Sequence, residues 1–182
     1  MILRTKRLII RAYEEKDAEA IYGVINDPTI YEMTLHIPYP YPREQVEIWI
    51  GFVNQNRRYR RGFEWGIFDL SGCYLGNIGL VNIDYINRSG EITYFVGKDF
   101  RKQGIATEAV GGALQYAFEI LHLERVAGRC MLENKASISV MGKNGIRFEG
   151  IARHEVMKDS VYRDIWHGGL LRNEYVQNRA PN

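Results

Sequence analysis

Where a strand gives way to a helix, the chain places Arg101-Lys102-Gln103-Gly104-Ile105-Ala106, inside the longer stretch FVGKDFRKQGIATEAV (95–110). The first turn of a helix carries N–H groups with no partner inside the helix, and the helix dipole adds partial positive charge there. A glycine in that turn lets the main chain come close to an anion, and Arg101 and Lys102 add whole charges. The segment reads as a cradle for a diphosphate. It lacks the Gly-Lys-Ser/Thr of a P-loop, and its glycine spacing differs from that of a dinucleotide fingerprint.

Other residues carry chemistry too. Asn134-x-x-Ser137 precedes an apolar run and suits a helix start, with Asn134 as its N-cap. Glu64, Glu91, His154 and Glu155 are candidates for accepting a proton, and Glu133 reads as solvated. His154 and Glu155 are adjacent on a strand, so they point to opposite faces. The 4 histidines show no paired spacing, and no metal site is expected. Cys73 and Cys130 lie far apart, which fits a reduced, cytoplasmic setting, with Cys130 a structural thiol. RRYRR (57–61) reads as a solvated helix end whose cations suit the negative pole. TIYEMTLHIPYPYP (29–42) reads as a substrate-selecting lip or as a packed connection between helices. Trp49, Trp65 and Trp166 read as core.

These groups need elements to hold them. The spacing predicts strands over 7–13, 63–70, 73–84, 90–97, 124–132, 146–157 and 162–171. It predicts helices over 14–27, from Pro42 to the 57–61 cluster, over 104–122 and over 134–144. The third of these is the clearest, with Ala106, Ala109, Val110, Ala113, Leu114, Ala117, Phe118 and Leu121 on one face. Asp27-Pro28 is read as a stop. The order β-α-α-β-β-β-α-β-α-β-β is an α+β arrangement around one mixed sheet. The 182 residues suit one domain, 1–182. The formal net charge of +2, from 24 cations and 22 anions, argues against a general nucleic-acid binder. No apolar run reaches the ~18 residues of a membrane span, and the N-terminal stretch lacks the pattern of a secretory signal.

Val96 followed five residues later by Arg101-x-x-Gly104-x-Ala106 resembles motif A of the GNAT superfamily of N-acetyltransferases. Asn134-x-x-Ser137 resembles its second signature. MGKNGIRFEG (141–150) and TKRLIIRAYEEKDAEAIY (5–22) are similar to segments of its Rim-type branch, the ribosomal-protein N-terminal acetyltransferases. Ile146 stands where that branch usually has Phe. The resemblance covers nearly the whole chain. It implies a single-domain GNAT-like fold with a mixed, mostly antiparallel sheet, splayed central strands and flanking helices.

The resemblance further implies acetyl-CoA as co-substrate, lying between strands 90–97 and 124–132. Its pantetheine would meet the backbone of Tyr94, Phe95 and Val96, and its diphosphate the amides of 101–106: Arg101, Lys102, Gln103, Gly104, Ile105 and Ala106. Asn134 would reach the pantetheine, and Ser137 would sit near the thiol. Some relatives carry a tyrosine acid seven residues after the asparagine. That position is Met141 here, so Ser137 or a water must protonate the thiolate. Glu91 begins the strand beside the thioester and ranks first as base. An α-amine titrates near ~8 and a lysine near ~10.4, so about a quarter of an α-amine is already neutral at pH 7.5. A protein N-terminus, a ribosomal protein among them, is therefore the expected acceptor. A small amine (amino sugar, antibiotic or polyamine) or a non-catalytic CoA-binding role is the alternative. Edge strands near the C-terminus leave room for a homodimer.

Overall fold

A computed structural model describes residues 2–179; Met1 and residues 180–182, the ends of the expected domain, lie outside the described residues. Eight strands form one sheet: β1 (Ile2–Arg4), β2 (Leu8–Arg11), β3 (Phe63–Asp69), β4 (Tyr74–Asp84), β5 (Ser89–Val96), β6 (Arg125–Met131), β7 (Arg147–Lys158) and β8 (Val161–Leu171). Their spatial order is β1-β2-β3-β4-β5-β6-β8-β7. Every neighbouring pair is antiparallel except β5 and β6. A parallel pair needs a crossover. The predicted long helix supplies it, as α4 (Ile105–Gln115) running into a widened π turn over Tyr116–Ile120.

Helices cover both faces. On one lie α4 and α5 (Lys135–Lys143), where Ala109, Val110, Ala113, Leu114, Ala117 and Phe118 pack fully buried against Trp65, Ile67, Ile78 and Val126. The alanines let α4 approach the sheet closely, and each large buried side chain contributes about 1.5–3 kcal/mol. On the other lie α1 (Ala18–Ile25), α2 (Pro28–Met33) and α3 (Glu44–Arg58), which bury Ile21, Ile25, Ile30, Val46, Ile50 and Val53 around Tyr13, Phe68 and Phe95. Trp166 is buried as expected, and Trp49 is half-buried against Tyr13.

Three elements differ from the expectation. The first strand is a hairpin, because Thr5 turns the chain: its amide donates to the Leu8 carbonyl at 3.0 Å and its hydroxyl accepts from the Leu8 amide at 3.1 Å. Asp27-Pro28 starts a helix instead of only stopping one. Asp27 accepts from the Thr29 amide at 2.7 Å and Pro28 takes the first turn, so residues read as loop form α2. The short, polar α6 (Arg172–Arg179) has one buried anchor, Tyr175, stacked on Phe118 at 4.7 Å. So sparse an apolar pattern gives no helical period to read.

Candidate active site

β5 and β6 hold together for one rung after another from Ser89 opposite Arg125 to Ile92 opposite Gly128, and then part. Past that point β5 runs through Thr93, Tyr94, Phe95 and Val96 with β4 on one side only, while β6 stays paired with β8. Gly128 stands at the last rung because Met141 packs there: a Cβ on Gly128 would lie 2.5 Å from the Met141 sulfur. The residue that replaces the tyrosine of some relatives thus fills the root of the gap. The parting opens a cleft of about 420 Å³ lined by both strands, by Asn134 and Ser137, and by residues 33–38.

At one end of β5 the chain makes a single 3-10 turn (Lys98–Phe100) and enters 101–106. Lys102 (φ 60) and Gly104 (φ 79) both sit in the left-handed region, so the chain turns twice before α4 begins. Gly104 is the N-cap and has no side chain to satisfy the helix. Among the described residues, the amides of 103–106 donate to no protein acceptor. They are free for an anion. Arg101 itself turns inward: Nε donates to the Val96 carbonyl at 3.0 Å and Nη1 to Thr29 Oγ1 at 2.7 Å. Its guanidinium ties the end of β5 to α2, while Lys102 stays exposed. Gln103 donates through Nε2 to the Asp99 carbonyl at 3.1 Å. Glu108 in the first turn of α4 would oppose an anion there. Arg7 offsets it, with Nε 2.7 Å from Oε2 and Nη1 donating to the Gln103 carbonyl at 3.0 Å.

Deeper in the cleft, the Tyr94 hydroxyl lies 2.8 Å from Ser137 Oγ and donates to the Ser137 carbonyl at 3.1 Å. Burial pushes the Tyr94 hydroxyl far above its ordinary range. Asn134 caps α5, accepting from the Ser137 amide at 3.0 Å, and its Nδ2 donates to the Met33 carbonyl at 3.1 Å. One asparagine therefore fixes Ser137 and pins the 29–42 segment over the cleft. Lys158 adds a second tie, donating to the Thr34 carbonyl at 3.0 Å with its ammonium 3.7 Å from the Tyr31 ring centroid. Tyr31 also bonds Asp159. Burial pushes the Cys130 thiol up, so it stays protonated at neutral pH and is no nucleophile.

The four candidate bases separate clearly. Glu91 faces the cleft and is held twice, by Arg129 Nε at 3.0 Å and by Asn82 Nδ2 at 3.1 Å. Arg129 also reaches Glu155 at 3.2 Å, and Glu155 bonds His167, so a chain of polar contacts links β5, β6, β7 and β8. A bulge between Ala152 and Val156 makes this possible, with His154 at φ 54 and stacked on Tyr162 at 5.4 Å. Glu64 also lines the cleft and is half-buried. Asn77 Nδ2 donates to it at 3.1 Å, and desolvation lifts its carboxyl above the usual range. Tyr13 in turn donates to Asn77 Oδ1 at 2.5 Å. The exposed Glu133 lies 3.4 Å from Arg163.

The fold brings Glu91, Tyr94, Asn134 and Ser137 to one cleft. Sequence reasoning missed Arg129, Asn77 and the hydroxyl of Tyr94. Period-2 alternation works within one strand, so only the register of β5 on β6, Glu91 opposite Ala127, brings Arg129 to the face that Glu91 shares.

A family model for the acetyltransferase (GNAT) domain matches residues 7–147. YnaD of Bacillus subtilis, an uncharacterized N-acetyltransferase, is 31% identical over 96% of this chain and 99% of its own length. The spermidine N(1)-acetyltransferase of Vibrio cholerae is 26% identical over 96% of this chain and 98% of its own. Among solved structures, RimL, a ribosomal L7/L12 alpha-N-protein acetyltransferase in complex with coenzyme A, superposes with a TM-score of 0.87. It is 19% identical, with 96% of this chain and 99% of that one covered.

Proposed function

Because this chain belongs to the GNAT acetyltransferase family and is an acetyl-CoA-dependent N-acetyltransferase, we propose that it moves the acetyl group directly onto a protein N-terminal α-amine within a ternary complex. One observation carries this reading. The unpaired stretch of β5 ends at the uncapped start of α4, so a thioester arm and its diphosphate have adjoining berths. Tyr94, Phe95 and Val96 offer the arm backbone groups. The amides of Gln103, Gly104, Ile105 and Ala106, with Lys102 beside them, hold the phosphates.

The chain then has two protons to move. The amine nitrogen forms a bond to the acetyl carbon as the carbon–sulfur bond breaks. Glu91, held in place by Arg129 and Asn82, receives the ammonium proton through a water. The Ser137 hydroxyl supplies a proton to the departing thiolate and regains one, through water, from the acetylated nitrogen, while Tyr94, 2.8 Å away, holds the hydroxyl in place. A weak base is enough for an α-amine, whose pKa near ~8 leaves an appreciable neutral fraction. A carboxylate is a weak base. The Rim-type motifs support a protein acceptor, in a reducing cytoplasm. The carboxylates Glu64, Glu91 and Glu155 near one cleft, together with the spermidine-acetylating relative, favour a polyamine as the second reading.

The test is thiol release from acetyl-CoA, with short peptides bearing free N-termini, spermidine and an amino sugar run side by side. The expected result is the highest kcat/KM with a peptide. Faster turnover of spermidine overturns the acceptor class. Tight binding of acetyl-CoA with no release on any amine overturns the enzymatic role.

A further inference from the structure

The second cavity that touches Glu64 lies away from the thioester side, between α3 and the far half of β4. Its volume is about 230 Å³, and Phe52, Asn56, Arg61, Val81 and Asn82 line it together with Glu64. Two links join it to the catalytic cleft. Glu64 lines both spaces, and Asn82 on the outer side donates to Glu91 on the inner side. The sheet register shows how the floor is made. Glu64, Gly79 and Thr93 lie in one cross-strand row, and Val81 faces Glu91 in the next. Gly79 keeps the row low: a Cβ there would come within 2.8 Å of Glu64 Cγ and 2.9 Å of Thr93 Cγ2.

Charge is ordered along this line. Glu64 is the carboxylate of the lining, and Glu91, paired with Arg129, lies one contact beyond it through Asn82. Arg61 stands at the outer end and, among the described residues, forms no ion pair. Phe52 on α3 is 56% exposed, an aromatic face left at the mouth of the cavity. Asn56 and Asn82 add polar groups along the wall. An inner anionic end next to the acetyl-transfer cleft suits an incoming ammonium. An outer cation suits the adjoining part of the acceptor only if that part carries oxygen acceptors or negative charge.

We propose that this cavity is the subsite that reads the acceptor beyond its reacting amine, and that it selects a carbonyl- or carboxylate-bearing group over a second ammonium. The proposal rests on the amine-acetylation reading above and narrows its acceptor. A peptide fits, because its first carbonyl lies two bonds from the α-amine. A polyamine does not, because its next ammonium would approach Arg61. The volume admits one residue-sized group, below the roughly 300 Å³ at which drug-sized ligand pockets begin.

The experiment uses the full chain with acetyl-CoA and two peptides that differ only in Glu or Lys at the second residue, with spermidine as a third acceptor. Two variants probe the cavity. Arg61→Glu inverts its outer charge. Gly62→Val narrows it, since a Cβ at Gly62 meets only ordinary contacts, 3.5 Å from the Leu80 carbonyl. Wild type is expected to favour the Glu peptide. Arg61→Glu shifts the Glu-to-Lys ratio of kcat/KM by about tenfold toward Lys. Gly62→Val raises KM for both peptides. A ratio unchanged within about twofold in Arg61→Glu, with KM unchanged in Gly62→Val, while wild type still acetylates amines, overturns the subsite and leaves the transfer reading standing. Absence of acetylation by wild type on every amine overturns both.

Discussion

Replacing Gly104 with alanine tests the anion cradle at its hinge. Gly104 has φ 79 and ψ 3, left-handed values that cost a residue with a Cβ about 1–2 kcal/mol. The new Cβ would lie 3.3 Å from Arg7 Nη2, the far end of a flexible arm that moves aside, so the backbone dominates the cost. For a chain of 182 residues each kcal/mol lowers Tm by about 2–4 °C, which gives a fall of about 2–8 °C. The larger effect is on binding. Relaxation toward right-handed values turns the amides of 103–106 away from a common point. Loss of one charge-assisted hydrogen bond, about 1.5–3 kcal/mol, raises KM for acetyl-CoA about 10- to 150-fold. Gly51→Ala is the matched control: it lies mid-helix in α3 with nothing within 4 Å of its added Cβ, and gains about 0.5–1 kcal/mol. Thermal melts with and without CoA, and steady-state kinetics, read both numbers. If Gly104→Ala loses stability but keeps the wild-type KM and the same CoA-induced rise in Tm, the cradle does not hold the cofactor's phosphates.

Three further outcomes are expected. Asn134→Ala removes a cap and the tie to Met33, together about 2 kcal/mol, so Tm falls by roughly 4–8 °C; a change under about 1 °C in a thermal melt would show that neither bond is made in solution. Glu64 has its carboxyl lifted by burial, so the folded protein binds the proton more tightly than the unfolded chain. That stability is complete below the unfolded value near ~4.3 and fades as pH rises through the lifted folded value. Glu64→Gln lacks the loss, so melts of the variant and wild type should coincide near pH 4 and separate toward neutral pH, with the variant higher; equal melting at both ends refutes the buried carboxyl. Ser137→Ala and Tyr94→Phe should each lower kcat about 10²-fold or more with little change in KM for acetyl-CoA, as expected for a proton donor and its partner. Unchanged kcat in pre-steady-state thiol release would remove Ser137 from the reaction.

Much of the site was legible because its signals are local. The glycine that caps α4, the apolar face of that helix and the Asn134 cap all lie within a few residues of the structure they specify. Capping, left-handed turns and helical period are properties of short segments, so a linear reading finds them. The antiparallel strands β3, β4 and β5 were visible for the same reason. The hidden elements were those with weak local signals: the three-residue β1, α2 starting at a residue pair read as a stop, and α6 with one buried tyrosine.

Only the tertiary structure decided how the polar groups share partners. Glu91 and Arg129 are 38 residues apart, and Arg101 and Thr29 are 72 apart. Arg101 looked like a phosphate ligand by position, yet its side chain serves the end of β5. Glu64 was one of four candidate bases by residue type; the fold alone sets the desolvation that lifts its carboxyl. Charge state, burial and pairing depend on what the fold brings within a few ångströms, and distance along the chain carries little information about that. The residue types determined where an anion can bind and where an amide cap must sit; the fold determined which carboxylate is clamped, which is desolvated, and which side chains face each other across the parted strands.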